Sequence, residues 1–256
     1  MDISFDPILG KEARPWNSYW HVYDLARRFY RPGQTLLDFG CGSGVSSIRY
    51  ARIGYTVHGF DICQENVDAC RALAIKYGHA DQTSFSVETA EALPFADERF
   101  DTVFGIDILH HVEIARAIQE VRRVLKPGGR AVFREWIETP AFERFRNAWV
   151  VRLLFPKGMS LDGHITQDER KLNRQDIDNI VSVFPAAEFR RFCITSRLRR
   201  IIPIPFPSRA SRLEQLDYLL MKWFPRMQTW GGETVIILQK TNQSYSGAFL
   251  LVPRKP

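Results

Sequence analysis

The sequence predicts an α/β fold with a seven-stranded, mostly parallel sheet carrying helices on both faces. Three observations lead there. The first 140 residues alternate short β-rich runs with helical patterns, the rhythm of βαβ units whose crossover helices leave neighbouring strands parallel. A loop with glycine at alternate positions, Gly40, Gly42 and Gly44, joins the first strand to a helix. The first two strands carry acids near their ends, Asp38 and Asp61.

Taken in order, Trp20, Tyr23, Leu25 and Phe29 recur at helical spacing over 17–30, and Pro32-Gly33 stops that helix. TLLDF (35–39) is the first strand, and VSSIRYARIGY (45–55) is a helix that Gly54 can end. TVHGFDI (56–62) is the second strand, followed by a helix over 64–77 closed by Gly78. Strands three and four are 83–88 and 100–107. An amphipathic helix over 112–125 sets Val112, Ala115, Ile118, Val121 and Leu125 along one face, and Lys126-Pro127-Gly128-Gly129 breaks it. RAVFREWI (130–137) is the fifth strand.

The rhythm then changes. An aromatic and basic helical piece, FERFRNAWVVRLLF, precedes a loop with Pro156, Gly158 and Gly163. Asn173 caps a helix reaching about Val183, with Asp176 in its first turn. A sixth strand over 188–196, a Pro-rich stretch, a helix over 211–224 and a final strand over 233–239 complete the chain. The segments 138–172 and 197–228 are long for plain connections, and a helical cap over an active site is their expected use. Residues 1–33 form an N-terminal helical lid and 34–137 the core unit of a single 1–256 domain.

Composition narrows the setting. With 45% hydrophobic and 25% charged residues the chain reads as an ordinary globular protein. No apolar run reaches the roughly 18 residues of a membrane span, and the N-terminus lacks the pattern of a secretory leader. Cys41, Cys63, Cys70 and Cys193 fit neither metal-ligand spacing nor a disulfide framework, which points to a reducing, cytoplasmic setting and no metal. The net charge of +6 accumulates late, at Arg190-Arg191 and at Arg197, Arg199 and Arg200. A solvated basic face is the plainer reading; an anionic membrane surface stays open, and nucleic acid is disfavoured because no RNA-binding pattern accompanies the charge.

The glycine loop carries the chemistry. Glycines let the backbone turn sharply and let a ligand approach without a Cβ in the way. A nicotinamide-binding loop needs G-x-G-x-x-G, and here the third glycine position falls on Val45 or Ser47, so an oxidoreductase of that kind is disfavoured. Asp61, 17 residues past Gly44, can accept both hydroxyls of a ribose, or cap the helix opening at Gln64, or both. Ile62 can lie against an adenine face.

Four blocks, LDFGCGSG, GFDI, AEALPFADERFDTVFGIDILHHV and RVLKPGG, lie in order within residues 35–137. In order and spacing they are similar to the class I methyltransferases of the quinone-biosynthesis kind, type 11. The resemblance implies a Rossmann-like sheet, S-adenosylmethionine as cofactor and transfer of its methyl group. It places Asp38, Gly40, Cys41, Gly42 and Gly44 around the methionine and ribose portion, Asp61 on the ribose and Ile62 on adenine. The acid that such enzymes aim at the adenine amine is replaced by Thr89, a weaker partner, ahead of Ala90 and Glu91. Asp107 falls at the methionine end. Trp16, Tyr19, Trp20 and Tyr23 are lid candidates, although aromatics at helical spacing also serve as core.

Methyl transfer needs alignment and exclusion of water, plus a general base when the acceptor is a hydroxyl. His110 and His111, just after the fourth strand, are base candidates, with His164 and Glu135 behind them. The Phe, Trp, Leu and Arg content of the late segments suits a small, apolar or aromatic acceptor bearing an anionic group, with oxygen favoured over carbon or nitrogen. The alternatives are an RNA or lipid acceptor, or a protein that uses the cofactor pocket for binding or another reaction. Oligomeric state is not legible.

Overall fold

The computed structural model describes residues 16–140, 144, 170–194 and 212–241. Seven strands form one sheet: β1 (Thr35–Phe39), β2 (Thr56–Asp61), β3 (Thr83–Val87), β4 (Phe100–Ile106), β5 (Leu125–Trp136), β6 (Glu188–Phe192) and β7 (Glu233–Gln239). Their order is β3-β2-β1-β4-β5-β7-β6. All neighbours from β3 through β5 run parallel, and β7 enters antiparallel between β5 and β6. The helices are α1 (Ser18–Phe29), α2 (Val45–Ile53), α3 (Gln64–Lys76), α4 (Ile114–Val124), α5 (Arg174–Val183) and α6 (Arg212–Trp223).

Both faces of the sheet are covered, so consecutive strand residues are apolar and fall into different cores. Leu36, Val132 and Val235 pack with Val22, Tyr23 and Tyr50 of α1 and α2. Leu37, Phe133 and Ile236 pack with Ile118 and Val121 of α4 and Ile180 of α5 on the other face. Each fully buried branched or aromatic side chain contributes about 1.5–3 kcal/mol. Helix α5 starts with a reciprocal cap: Asn173 Oδ1 accepts the Asp176 N–H, and the Asp176 carboxylate accepts the Asn173 N–H.

Three boundaries depart from the sequence expectation. Strand β5 already pairs at Leu125, opposite Phe100, then slips so that Arg130 pairs with Thr102. Lys126–Gly129 is therefore a bulge rather than a break, and the Gly128 N–H reaches the Lys240 carbonyl to close it. A short 3₁₀ turn over Leu109–His111 delays α4, so its buried face is Ile114, Ala117, Ile118, Val121 and Val124 instead of the Val112 and Ala115 register. Strand β6 stops at Phe192 because Cys193 takes a left-handed φ of 66°. The piece 142–155 apart from Arg144, the loop with Pro156, Gly158 and Gly163, His164, and Arg197, Arg199 and Arg200 lie outside the described residues. No helix among the described residues is long and apolar enough to cross a membrane.

Candidate functional site

In a doubly wound sheet, ligands bind beyond the carboxyl ends of the strands where the order reverses, here between β1 and β4. The glycine loop leaves β1 at that point. Gly40, Gly42 and Gly44 have φ of 73°, 48° and 82°, the left-handed region that only glycine enters freely. Their reasons for being glycine differ. A Cβ on Gly40 would sit 2.5 Å from Ile108 Cγ1, and one on Gly44 2.8 Å from Cys70 Sγ. A Cβ on Gly42 would meet nothing within 4 Å. Gly40 and Gly44 are fixed by packing, whereas Gly42 faces open space. Gly44 also opens α2, whose first N–H groups lie just behind the loop.

Asp61, at the end of β2, binds the loop to the next helix. One carboxylate oxygen accepts the Gly42 N–H at 3.0 Å, and the other accepts the Cys63 N–H and the Asn66 side-chain amide, each at 3.0 Å. Asp61 is thus a structural tie between the loop and the next helix, with three of its roughly four lone-pair positions in use. Ile62 beside it is 75% exposed, unusual for a branched apolar residue next to a loop of this kind. The Glu88 N–H donates to the Asp61 carbonyl, which brings the exposed Thr89 and the buried Ala90 against the same strand end.

Asp38 is buried under the loop and accepts a hydrogen bond from Ser47 Oγ. Burial pushes its carboxyl up to about 7; the Ser47 bond opposes this and the Asp61 charge adds to it. Cys41 is turned away from the open side, its Sγ 3.6 Å from Cys70 Sγ. That thiol contact, then burial, raises the Cys41 thiol far above its ordinary range.

The other predicted residues lie around this loop, several of them with partners of their own. Tyr19 and Tyr23 both take hydrogen bonds from Arg49 of α2, and the Arg49 guanidinium stacks over Tyr19, Trp20 and Tyr23 at 5.0–5.5 Å. Tyr23 is fully buried core and its hydroxyl lies 2.7 Å from Ser46 Oγ at the start of α2, while Tyr19 is half-buried. Trp16 and Tyr19 border a cavity of about 110 Å³ at the carboxyl edge of the sheet, with Arg134 and Glu233. The Glu91 carboxylate accepts the Glu113 N–H at the start of α4. Asp107, at φ 55°, accepts with both carboxylate oxygens from Arg134 Nη1, while Arg134 Nη2 holds Glu233 and its Nε donates to Ser18. Burial raises the Asp107 carboxyl against the opposing pull of Arg134.

The two histidines separate in role. His110 is buried and its Nδ1 lies 2.8 Å from Glu135 Oε2, while His111 is exposed with its ring 4.1 Å from that of His110. Glu135 is 0% exposed, and its second oxygen accepts the N–H groups of Ile108 and Leu109 at 2.8 and 2.6 Å. Both Glu135 oxygens are thus engaged by groups of the histidine turn. The same Ile108 packs against Gly40, so the histidine turn and the glycine loop are in contact. Sequence reasoning missed Arg134, Arg49 and Asn66. For Arg134 a signal existed: charged residues 134 and 135 interrupt an otherwise apolar buried strand.

A family described as a methyltransferase domain matches residues 37–133. A ubiquinone biosynthesis O-methyltransferase of Cereibacter sphaeroides is 34% identical over 175 residues, covering 63% of this chain and 68% of the relative. A 27-O-demethylrifamycin SV methyltransferase of Amycolatopsis mediterranei is 34% identical over 113 residues, covering 43% of this chain and 42% of the relative. In fold the chain is similar to a geranyl diphosphate C-methyltransferase from Streptomyces coelicolor, with a TM-score of 0.57, 16% identity, and 91% and 84% of the two chains covered. With the matched stretch spanning the glycine loop, Asp61 and the histidine turn, the chain belongs to the class I S-adenosylmethionine-dependent methyltransferases of type 11.

Proposed function

We propose that the chain methylates a hydroxyl of a small, apolar or aromatic acceptor, with His110 as the general base. The observation that carries this reading is the His110–Glu135 pair on the turn that touches the glycine loop. Where the Glu135 carboxylate accepts, Nδ1 of His110 donates, and a neutral imidazole in that tautomer has its basic nitrogen at Nε2. A base so oriented is needed for an oxygen acceptor and much less for an amine, and it is worth about 10²–10⁴ in rate. That two relatives named above are O-methyltransferases supports oxygen over carbon or nitrogen.

The residues around the loop fit the cofactor. The space over Gly42 is open, so a ligand can approach the loop backbone there, and the exposed Ile62 offers an apolar surface near it. When bound, S-adenosylmethionine supplies an electrophilic methyl on a sulfonium. Asp61 would take its ribose hydroxyls, with the Asn66 amide giving way, and Thr89 with the Ala90 N–H would meet the adenine edge. Asp38 supplies buried negative charge beneath the cationic portion, and Cys41 contributes backbone only. Tyr19, Glu91 and Asp107 act through the partners they already hold, keeping α1, α4 and β5 in place.

His110→Ala tests the proposal. Transfer to phenolic or quinol acceptors should fall by about 10²-fold or more with cofactor affinity retained. An unchanged turnover number would remove His110 from the chemistry.

A further inference from the structure

A second cavity, of about 340 Å³, lies away from the cofactor loop, where α1 and α6 meet β6 at the far edge of the sheet. Its walls bring together Arg28 of α1, Arg190 and Arg191 of β6, and Lys222 of α6, and no acid lines it among the described residues. Phe192 and Met221 supply an apolar wall. Arg190 also reaches Glu188 at 3.3 Å, but that carboxylate is 64% exposed and compensates it weakly. Arg191 donates to the Gly231 carbonyl, which fixes its direction.

We propose that this cavity is a binding site for a phosphate ester with an apolar carrier, separate from the methyl-transfer site. The three guanidinium groups of Arg28, Arg190 and Arg191 offer planar forks that match phosphate oxygens, and Lys222 adds a mobile point charge. The volume lies within the range of small-ligand pockets, with room for a phosphate and a ring or chain segment. The four cations repel one another at this range, and an anion would relieve that repulsion.

The same charges bear on His21. This residue is 4% exposed, lines the cavity, and takes a contact from Arg190 at 3.3 Å on Nε2, while its buried Nδ1 has no partner among the described residues. Burial first, then the charges of Arg190 and Arg28, lower its pKa to about 4. A bound anion would offset those two charges.

Phosphate esters come from two sources, soluble metabolites and phospholipid headgroups. Helix α6 bears on the cavity with Tyr218, Met221 and Lys222, and its next face exposes Leu216, Leu219 and Trp223 at 44, 49 and 76%. That stripe would rest among lipid chains if the headgroup were the ligand.

The test uses the full chain. Phenyl phosphate is titrated calorimetrically, and co-sedimentation is measured with phosphatidylcholine vesicles with and without phosphatidylglycerol. Binding of phenyl phosphate, weakened roughly tenfold or more by Arg28→Glu/Lys222→Glu, supports a soluble ligand. Sedimentation only with phosphatidylglycerol, lost in the same variant, supports a headgroup. S-adenosylmethionine affinity in that variant should match the parent, which certifies the fold. Without any variant, the His21 ring should titrate at higher pH when phenyl phosphate or the anionic vesicle is present. No binding of either probe, or binding that the charge reversal leaves unchanged, overturns the proposal.

Discussion

Replacing Glu135 by Gln isolates the orienting role of the carboxylate. In the parent, Oε1 accepts two backbone N–H groups and Oε2 faces His110 Nδ1 at 2.8 Å. Glutamine has the same shape, and its carbonyl can keep both backbone bonds. Its amide N–H then points at Nδ1, which must become an acceptor, and the imidazole proton moves to Nε2. One charge-assisted bond becomes a neutral one, so stability should fall by only about 1 kcal/mol. The base, however, is in the wrong tautomer. The turnover number should drop by about 10²–10⁴, equivalent to about 3–5 kcal/mol of barrier, with KM for the cofactor unchanged. Glu135→Ala is less informative, because it strands two buried N–H groups at about 1–3 kcal/mol each and threatens the fold. The assay is single-turnover formation of S-adenosylhomocysteine across pH, alongside thermal unfolding. A Gln variant that turns over within about threefold of the parent, at parental stability, refutes the tautomer reasoning.

Other perturbations report on the remaining groups. Gly42→Val should abolish cofactor binding in calorimetry while Tm moves little, since its side chain meets only open space and the left-handed φ costs about 1–2 kcal/mol; Gly44→Ala should instead lose stability against Cys70. Asp61→Ala should weaken cofactor binding by about 1–3 kcal/mol, measured the same way. For Asp38 the folded pKa of about 7 lies above the unfolded value near 4, so its stabilising protonation is complete below the latter and lost as pH rises through 7. Asp38→Asn should therefore stabilise the cofactor-free protein at about pH 8 by up to about 4 kcal/mol and have no effect at about pH 4, read by denaturant melts. Parental affinity for the cationic cofactor should rise with pH across that midpoint, and the Asn variant should lose the dependence. Arg134→Met should cost about 3–5 kcal/mol in the same melts, because Asp107 and Glu233 lose their common cation.

Legibility in the sequence followed the range of the interaction. The loop could be read because its three glycines lie within five residues and each needs a left-handed φ, and the cap of α5 because Asn173 and Asp176 are three apart. The final strand was legible for the same reason, its apolar run being bounded on both sides. Pairings that depend on strand register were not. His110 meets Glu135 only because β4 and β5 lie side by side in one particular register, and Arg134 meets Ser18 across 116 positions. The early start of β5 escaped notice because Pro127 and the following glycines look like a loop locally, and only the partner Phe100 shows that pairing has begun. The end of β6 turned on the backbone of Cys193, a residue type that gives no warning of a left-handed φ.

The most direct test of the account follows the methyl group itself. The chain is incubated with S-adenosylmethionine labelled on the methyl and a panel of phenols, quinols, amines and activated carbon acids, and the labelled product is identified by NMR. Label recovered on oxygen, in a reaction that Glu135→Gln slows by about 10²-fold or more, is the predicted result. Label on nitrogen or carbon alone, or on oxygen at an unaltered rate in the Gln variant, contradicts the assignment of His110 as an oriented base for O-methylation.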